Sequence, residues 1–261
     1  MKLEICLTIA GSDSSAGAGV QADLKTFTAL GCYGVNALTS VVAESPTNVA
    51  LIQLLDPIIV SEQIKVLAVT FPIRAAKTGM LGGRAQIEAI ISAWRPLAKK
   101  SVPLVIDPVM IATTGKRLLD EDALEILTTQ LFPLARVITP NLDEAAVLLG
   151  ARPTTRLEME QGALQLSVRL KTAILLKGGH LVGDDAPDVL VDGGAVVWFE
   201  GARIHGVHTH GTGCTYSAAI TAGLAKQLSL EESVRRAKEF VTRAIANHHR
   251  WGAIDALNHF A

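Results

Sequence analysis

Short runs of branched aliphatic residues alternate with longer segments of helical periodicity, and this alternation restricts the fold more than any other feature. The pattern predicts strands at residues 4–10, 34–43, 73–77, 102–107, 135–138 and 172–177. It predicts helices near residues 18–30, 57–70, 83–99, 120–131, 141–149 and 156–170. Strands that alternate with helices form βαβ units, so we expect an α/β fold with a mostly parallel sheet and helices on both faces.

The pattern changes towards the end of the chain. Residues 188–191 and 195–199 are typical of a hairpin, with Asp192-Gly193-Gly194 as its turn. Two helices are predicted to follow, and the second keeps one apolar face formed by Val234, Ala237, Phe240, Val241, Ala244 and Ile245. We find no linker or low-complexity tract and predict one domain over residues 1–261.

Composition excludes several classes of partner. Hydrophobic residues make up 49% of the chain and aromatic residues 4%, an aliphatic bias that suits helices packed on buried parallel strands. With 24 basic and 25 acidic residues, no basic stripe indicates nucleic acid or an acidic membrane, so we expect a small-molecule partner. No apolar run reaches the roughly 18 residues of a membrane span. Three cysteines fit no disulfide framework, which favours a reducing cytoplasm.

We expect ligand-binding residues directly after the predicted strands, because open α/β sheets bind ligands beyond the carboxyl ends of their strands. The segment Gly11–Gly19 follows the first strand and consists mainly of glycine, alanine and serine. Small residues let the backbone approach a ligand, and the helix that opens next favours negative charge at its N-terminus. The segment matches neither the P-loop nor the dinucleotide motif. A tight strand-to-helix turn is the alternative.

The segment Thr209–Thr215 reads Thr-His-Gly-Thr-Gly-Cys-Thr and precedes a predicted helix. Gly211 and Gly213 allow consecutive N–H groups to converge on one anion, with the helix dipole adding to the attraction. Such a turn suits a migrating phosphoryl group. Cys214 would lie in the first helical turn, where we expect its pKa to be lowered, and could accept the proton of an attacking hydroxyl. A buried structural cysteine is the alternative.

Three further strand ends carry polar groups. Asp107 follows one strand and could hold Mg²⁺ against phosphates. Asn141 and Glu144 follow the next strand and share a helix face, where they could position metal-bound water or form a capping box. Lys177 follows a third strand and could neutralise phosphate charge. Together these strand ends predict anion handling with a metal.

With these residues assembled, the chain resembles the phosphomethylpyrimidine kinases of thiamine synthesis, which belong to the ribokinase-like superfamily. The matching stretches are LTIAGSDSSAGAGVQADLKTF at 7–27, KTGML at 77–81, DPVM at 107–110, ITPNLDEAAVLLG at 138–150, LLKGGH at 175–180 and THGTGCT at 209–215. They occur in order along nearly the whole chain. The first and last together form a specific combination, whereas the single motifs are not specific.

The resemblance implies a three-layer α/β/α ribokinase-like fold, a homodimer, and ATP and Mg²⁺ as cofactors. It implies phosphorylation of 4-amino-5-hydroxymethyl-2-methylpyrimidine and then of its monophosphate. The implied roles are general base for Cys214, anion hole for Gly211, Thr212 and Gly213, nucleotide contacts for Lys177, Thr139, Asn141 and Thr212, metal contacts for Asp107 and Glu144, and pyrimidine contacts for Gly11, Ala18, Asp23, Met80 and Val109.

Glu44 departs from the family pattern, in which this position is typically glutamine. A glutamine amide matches both the amino group and the ring nitrogen of an aminopyrimidine, whereas an ionised carboxylate only accepts hydrogen bonds. A buried Glu44 that shares a proton would restore the match, since burial raises a carboxyl pKa. A different ring, or a Glu44 that points elsewhere, is the alternative.

Two other functions compete with the pyrimidine kinase. Glu44 leaves open a pyridoxal-type kinase that acts on the hydroxymethyl group of a pyridine. A sensor that binds pyrimidine or nucleotide without catalysis is the other, although the presence of Cys214, Lys177 and Asp107 argues against it.

Overall fold

The fold is organised around a nine-stranded sheet in a computed structural model that describes residues 3–110, 119, 121–179, 181–207 and 210–261. Two residues of the stretches quoted above, His180 and Thr209, lie outside these ranges. The sheet consists of β1 (Glu4–Asp13), β2 (Cys32–Ser45), β3 (Asn48–Leu54), β4 (Ile73–Thr78), β5 (Leu104–Ile106), β6 (Val137–Ile138), β7 (Ala173–Lys177), β8 (Asp188–Asp192) and β9 (Ala195–Phe199).

The strand order is β3-β2-β1-β4-β5-β6-β7-β8-β9. The strands from β2 to β7 in this order run parallel, while β3, β8 and β9 are antiparallel to their neighbours. The parallel strands are almost continuously buried, as expected for a sheet covered on both faces. A small separate hairpin, β10 (His249–Trp251) and β11 (Ile254–Ala256), lies near the end of the chain.

Helices cover both faces of the sheet. They are α1 (Gly19–Ala29), α2 (Pro57–Thr70), α3 (Arg84–Ala98), α4 (Glu121–Ile126), α5 (Leu142–Leu149), α6 (Arg156–Leu170), α7 (Thr212–Ala225) and α8 (Leu230–Ala246). One core cluster joins the sheet to α2 through α6, and two others join it to α1, α7 and α8. The predicted three-layer α/β/α architecture is therefore confirmed. Among the described residues, no helix is both long and apolar enough to cross a membrane.

Local sequence explains several helix starts. Asp56 caps α2 ahead of Pro57, and its side chain accepts a hydrogen bond from the amide of Ile58. Capping boxes open α5, with Asn141 and Glu144, and α6, with Thr155 and Glu158. The hairpin turn is also confirmed, because Gly193 and Gly194 both have positive φ as a type I′ turn requires.

The prediction missed the edge strand β3 and ended the first two strands too early. Every residue of β3 is exposed, so the strand carries no alternation of buried and exposed positions for a sequence pattern to reveal. β1 extends to Asp13 because it continues to pair with β2, as far as Val42, beyond a register shift near Gly11, and β2 extends to Ser45 because its tip pairs with β3. The helix predicted at 120–131 is α4, followed by a π-helical turn and a 3₁₀ turn up to Leu134. The single domain stays a prediction.

Chain order reverses between β1 and β4. From β1 the chain passes through α1 to β2 on one side, and later through α2 to β4 on the other. The helix α1 follows β1 and the helix α3 follows β4. Because these two helices lie on opposite faces of the sheet, the segments that follow β1 and β4 diverge. Such a switch point is where open α/β sheets form their ligand crevice.

Candidate active site

The start of α7 lies over the carboxyl ends of the parallel strands. The helix packs against α1, β1, β4 and β5, which places its first turn at the switch point. Gly211 is the N-cap residue, with φ +83°, and Thr212, Gly213 and Cys214 form the first turn. The predicted convergence of these residues with the strand ends is therefore present.

Gly211 is the position that only glycine can occupy. A Cβ atom on Gly211 would lie 1.8 Å from the carbonyl oxygen of Gly17, in the loop between β1 and α1. The two glycine-rich loops thus touch backbone to backbone. The positive φ adds roughly 1–2 kcal/mol for a residue with a side chain.

We expect Gly211→Ala to lower kcat/KM by roughly 10²-fold, the cost of shifting reacting groups by about 1 Å. The control is Gly194→Ala, which has a similar φ of +88° but no atom within 4 Å of the added methyl group. Steady-state kinetics of both variants distinguish the effect of the steric clash with Gly17 from the effect of a side chain at positive φ. Equal losses in the two variants would contradict this prediction.

Gly213 lies against the charged groups at two strand ends. A Cβ atom there would be 3.3 Å from Asp107 Oδ2 and 3.5 Å from Lys177 Nζ. Lys177 donates to Asp107 Oδ1 at 3.1 Å, and the Thr139 hydroxyl lies 3.5 Å from the same oxygen. Although burial opposes it, the ion pair with Asp107 raises the pKa of Lys177. The turn at 211–213 therefore faces a fixed ammonium group.

Asn141 and Glu144 form the capping box of α5, the structural alternative raised above. Asn141 Oδ1 accepts from the amides of Asp143 and Glu144, and Glu144 Oε2 accepts from the amide of Asn141 at 2.9 Å. Glu144 Oε1 also accepts from the amide of Met110 at 3.3 Å. Burial, with the nearby charge of Asp107, raises the pKa of Glu144 to about 7. A metal role for Glu144 stays a prediction.

Cys214 is partly buried and does not have the lowered pKa that its helical position predicts. Burial raises the pKa of the thiol to about 12, against the opposing effects of Lys77 and of the Gly19 amide, which faces the sulfur. The prediction was wrong because desolvation of the thiolate outweighs the helix N-terminus. The residue still lies where the first turns of α1 and α7 meet.

The predicted pyrimidine contacts fall into two groups. Gly11 and Met80 are adjacent, since a Cβ atom on Gly11 would lie 2.7 Å from Met80 Cε. Ala18 caps α1 and donates its amide to Asp13, and Val109 holds a left-handed φ of +43°, unusual for a β-branched residue. Asp23 is different, because it is fully buried and lies behind the crevice.

Asp23 accepts hydrogen bonds from two buried partners. Lys77 donates to Oδ1 at 3.0 Å and Thr8 donates to Oδ2 at 2.6 Å. Both Asp23 and Lys77 have no exposed surface. Burial raises the pKa of Asp23. Burial acts to lower the pKa of Lys77, but the nearby Asp23 and Cys214 outweigh it and raise that pKa. Lys77 was not predicted as a site residue, although a lysine inside an otherwise apolar strand indicates a buried charged partner.

Asp13 and His210 were also missed. Asp13 ends β1, His210 precedes Gly211, and the two side chains lie 3.0 Å apart. Glu44, at the end of β2, is close to both. Burial and the charge of Asp13 raise the pKa of Glu44 to about 7, so the expectation of a raised carboxyl pKa is confirmed.

Comparison with known proteins agrees with this geometry. The family model for phosphomethylpyrimidine kinase matches residues 13–257. The hydroxymethylpyrimidine/phosphomethylpyrimidine kinase of Rhizobium meliloti is 44% identical to this chain, and the match covers 93% of this chain and 90% of that protein. The corresponding kinase of Streptomyces coelicolor is 41% identical, and the match covers 98% of this chain and 94% of that protein.

Solved structures point to the same family. A phosphomethylpyrimidine kinase from Clostridium difficile has a TM-score of 0.81 and 37% identity, covering 94% of this chain and all of that one. An ADP complex of Bacillus subtilis pyridoxal kinase has a TM-score of 0.90 and 37% identity, covering 99% and 98%. The chain belongs to the phosphomethylpyrimidine kinase family, with the ribokinase-like fold of the vitamin kinases.

Proposed function

We propose that this enzyme transfers the γ-phosphate of ATP to the hydroxymethyl group of 4-amino-5-hydroxymethyl-2-methylpyrimidine and then to the resulting monophosphate, which gives the diphosphate used in thiamine synthesis. The observation that carries the proposal is the position of Gly213, where a Cβ atom would lie 3.3 Å from Asp107 Oδ2 and 3.5 Å from Lys177 Nζ. An amide-rich helix start and a partly buried ammonium group thus meet at the switch point of the sheet.

In the first transfer, the hydroxyl oxygen attacks the γ-phosphorus, and the bond to the oxygen that bridges the β- and γ-phosphates breaks. The amides at 211–213 face the charge that spreads over the equatorial oxygens, together with Lys177. The released proton goes to Cys214 in its thiolate form. Because burial raises the pKa of that thiol, only a small fraction of the enzyme carries the thiolate near neutral pH, and the charge of Lys77 and the Gly19 amide favour that fraction.

Mg²⁺ belongs to the proposal through the chemistry of its donors. Asp107 and Glu144 supply carboxylate oxygens, the ligands that Mg²⁺ prefers, directly or through water. Asp107 Oδ2 faces Gly213 in the turn at residues 211–213, the proposed phosphate-binding turn. Both oxygens of Glu144 accept backbone amides, so we assign it contact through water. The bound ion would neutralise phosphate charge, and Thr139, Asn141 and Thr212 are proposed to contact the nucleotide.

Pyridoxal kinase activity is the second candidate, because pyridoxal kinases are among the similar structures. The test compares kcat/KM for the hydroxymethylpyrimidine, its monophosphate and pyridoxal, each with ATP and Mg²⁺. We expect ADP formation with both pyrimidines and at least roughly 10-fold lower kcat/KM with pyridoxal. A preference for pyridoxal would reassign the substrate. Tight pyrimidine binding without turnover would instead support a sensor.

We also propose a homodimer that covers β3. Large exposed apolar side chains cluster on β2, β3 and the start of α2, namely Val41, Val49, Leu51, Ile52, Leu54, Ile58 and Ile59. A fully exposed edge strand with such side chains is a site for pairing. A second copy supplies the same edge, as a two-fold interface requires.

Sedimentation equilibrium tests the dimer. We expect a species of twice the 27.6 kDa chain mass, and a shift towards the monomer in Leu51→Lys. Leu51 is 66% exposed, so its replacement leaves the monomer core intact. Val168→Lys, an equally apolar and exposed position on α6, is the control that should stay dimeric. A monomeric wild-type protein would refute the proposal.

The three described cysteines are free, which supports a reducing compartment, and we propose that the enzyme acts in the cytoplasm.

A further inference from the structure

Asp13, Glu44 and His210 meet although they come from three separate segments. Asp13 ends β1, Glu44 lies at the end of β2, and His210 directly precedes the phosphate-binding turn. One side-chain oxygen or nitrogen from each lies within 4.8 Å of the others. Asp13 is buried, and Glu44 and His210 are partly buried.

Asp13 organises the loop between β1 and α1. Its Oδ1 accepts from the amide and the hydroxyl of Ser15, both at 2.7 Å. Its Oδ2 accepts from the amides of Gly17 at 3.0 Å and Ala18 at 2.7 Å. One carboxylate thus fixes the backbone that Gly211 touches.

His210 joins this loop to the phosphate-binding turn. Its Nε2 lies 3.0 Å from Asp13 Oδ2, and its ring packs on Gly17, where a Cβ atom would lie 2.8 Å from Cδ2. The neighbouring Gly211 meets the carbonyl oxygen of the same Gly17. A shift of His210 therefore moves the amides at 211–213.

We propose that Asp13 and a protonated His210 form a positioning pair that fixes the phosphate-binding turn at residues 211–213, and that Glu44 is the second carboxyl group facing the imidazole ring. The inference rests on the proposed function only in its kinetic test, because the NMR titration needs no turnover. Glu44 itself is fixed by Ser14, whose hydroxyl accepts from the Glu44 amide at 2.8 Å and donates to the Glu44 carbonyl at 2.7 Å.

The charges agree with an imidazolium between two carboxyl groups. The hydrogen bond to Asp13 raises the pKa of His210 against the effect of burial, and the charges of Asp13 and Glu44 add to the increase. Burial opposes ionisation of Asp13, but bonds from His210, Ser15 and Ala18 hold its pKa well below the usual range. Lys25, a charged residue of α1, donates to the Ala16 carbonyl in this loop at 2.8 Å.

The pH dependence follows from these directions. Because the folded pKa of His210 lies above its ordinary value of 6.5, the charged pair contributes fully below about pH 6.5. The contribution is lost as pH rises through the folded pKa. Removing the charge of Glu44 should lower that folded pKa and move the loss to lower pH.

A metal centre fits these residues less well. Both oxygens of Asp13 already accept hydrogen bonds, and His210 Nε2 points at one of them. A cation would have to displace the amides that hold the loop. Calorimetric titration with Zn²⁺ checks this point, and micromolar binding that Glu44→Gln abolishes would overturn the positioning pair.

NMR titration of the imidazole signals tests the charges without any turnover. His210→Gln identifies the signal among the seven histidines of the chain. We expect His210 to titrate above pH 6.5 in the wild-type protein and lower in Glu44→Gln. A wild-type titration at or below pH 6.5 would overturn the proposal whatever the substrate is.

Kinetics test the positioning role. His210→Ala should lower kcat roughly 10- to 100-fold, the range for a lost charge-assisted hydrogen bond. His210→Gln, whose amide nitrogen can replace Nε2, should recover most of the rate and lose the wild-type decline at alkaline pH. The control is His205→Gln, which alters an exposed histidine paired with Asp184. Unchanged kcat in His210→Ala, or identical pH profiles for wild type and His210→Gln, would refute the pair.

Discussion

Replacing Cys214 with alanine is expected to lower kcat for the pyrimidine alcohol by roughly 10²-fold or more, the contribution of a general base. Binding of the alcohol should change little, because the proposed pyrimidine contacts at Gly11, Glu44 and Met80 remain. The thiol lies between the first turns of α1 and α7, next to the proposed phosphate path. Stopped-flow or steady-state measurement of ADP release gives kcat.

The monophosphate is an internal control for the same variant. Its attacking phosphate oxygen is largely unprotonated above the second phosphate pKa of about 6, so it needs no base. At pH 8 we therefore expect Cys214→Ala to slow the second transfer much less than the first. Equal losses for both substrates would mean that Cys214 shapes the site without accepting a proton, and unchanged kcat for both would remove it from the mechanism.

Replacing Lys77 with methionine is expected to lower the free energy of unfolding by about 3–5 kcal/mol, the cost of removing one partner from a buried ion pair. Lys77 and Asp23 have no exposed surface, and the pair spans β4 and α1. Among the residues that the structure describes, the remaining Asp23 carboxyl would keep Thr8 as its hydrogen-bond partner, at 2.6 Å. Urea denaturation at pH 7 measures the loss.

A double variant, Lys77→Met with Asp23→Leu, separates stability from chemistry. Replacing both charges with apolar side chains of similar size should restore much of the stability, because neither charge is left unpaired. Lys77 lowers the pKa of the Cys214 thiol by more than Asp23 raises it. We therefore expect the double variant to fold yet show slower alkylation of Cys214 at pH 9. Wild-type stability of Lys77→Met would contradict the first expectation, and unchanged alkylation the second.

The order of strands and helices could be predicted from the sequence wherever burial leaves a periodic pattern. β7 and α6 lie close to their predicted bounds, and α8 buries the predicted apolar face at Val234, Ala237, Phe240, Val241 and Ala244. β3 and the hairpin of β10 and β11 could not be found, since strands that are mostly exposed give no alternation. β3 pairs with the preceding β2, and β10 pairs with β11, so backbone pairing places these strands without any pattern of apolar residues.

The candidate site was predicted as a set of strand ends, and glycine and charge at those ends were sufficient for that. The capping box of Asn141 and Glu144 was also visible, because it depends on residues three apart. The pKa of Cys214 was not, because it depends on how much water the surrounding elements exclude. Asp13 and His210 were missed because they are 197 residues apart.

The sequence by itself determined the alternation of elements, the glycine positions that tight backbone contact requires, and the family. Only the tertiary structure decided that chain order reverses between β1 and β4, and that α7 sets its first turn against α1. The physical reason is the sequence separation over which each interaction acts. Propensity, capping and periodicity act within a few residues, whereas burial of Lys77 with Asp23 and the contact of Gly211 with Gly17 exist only after distant segments pack together.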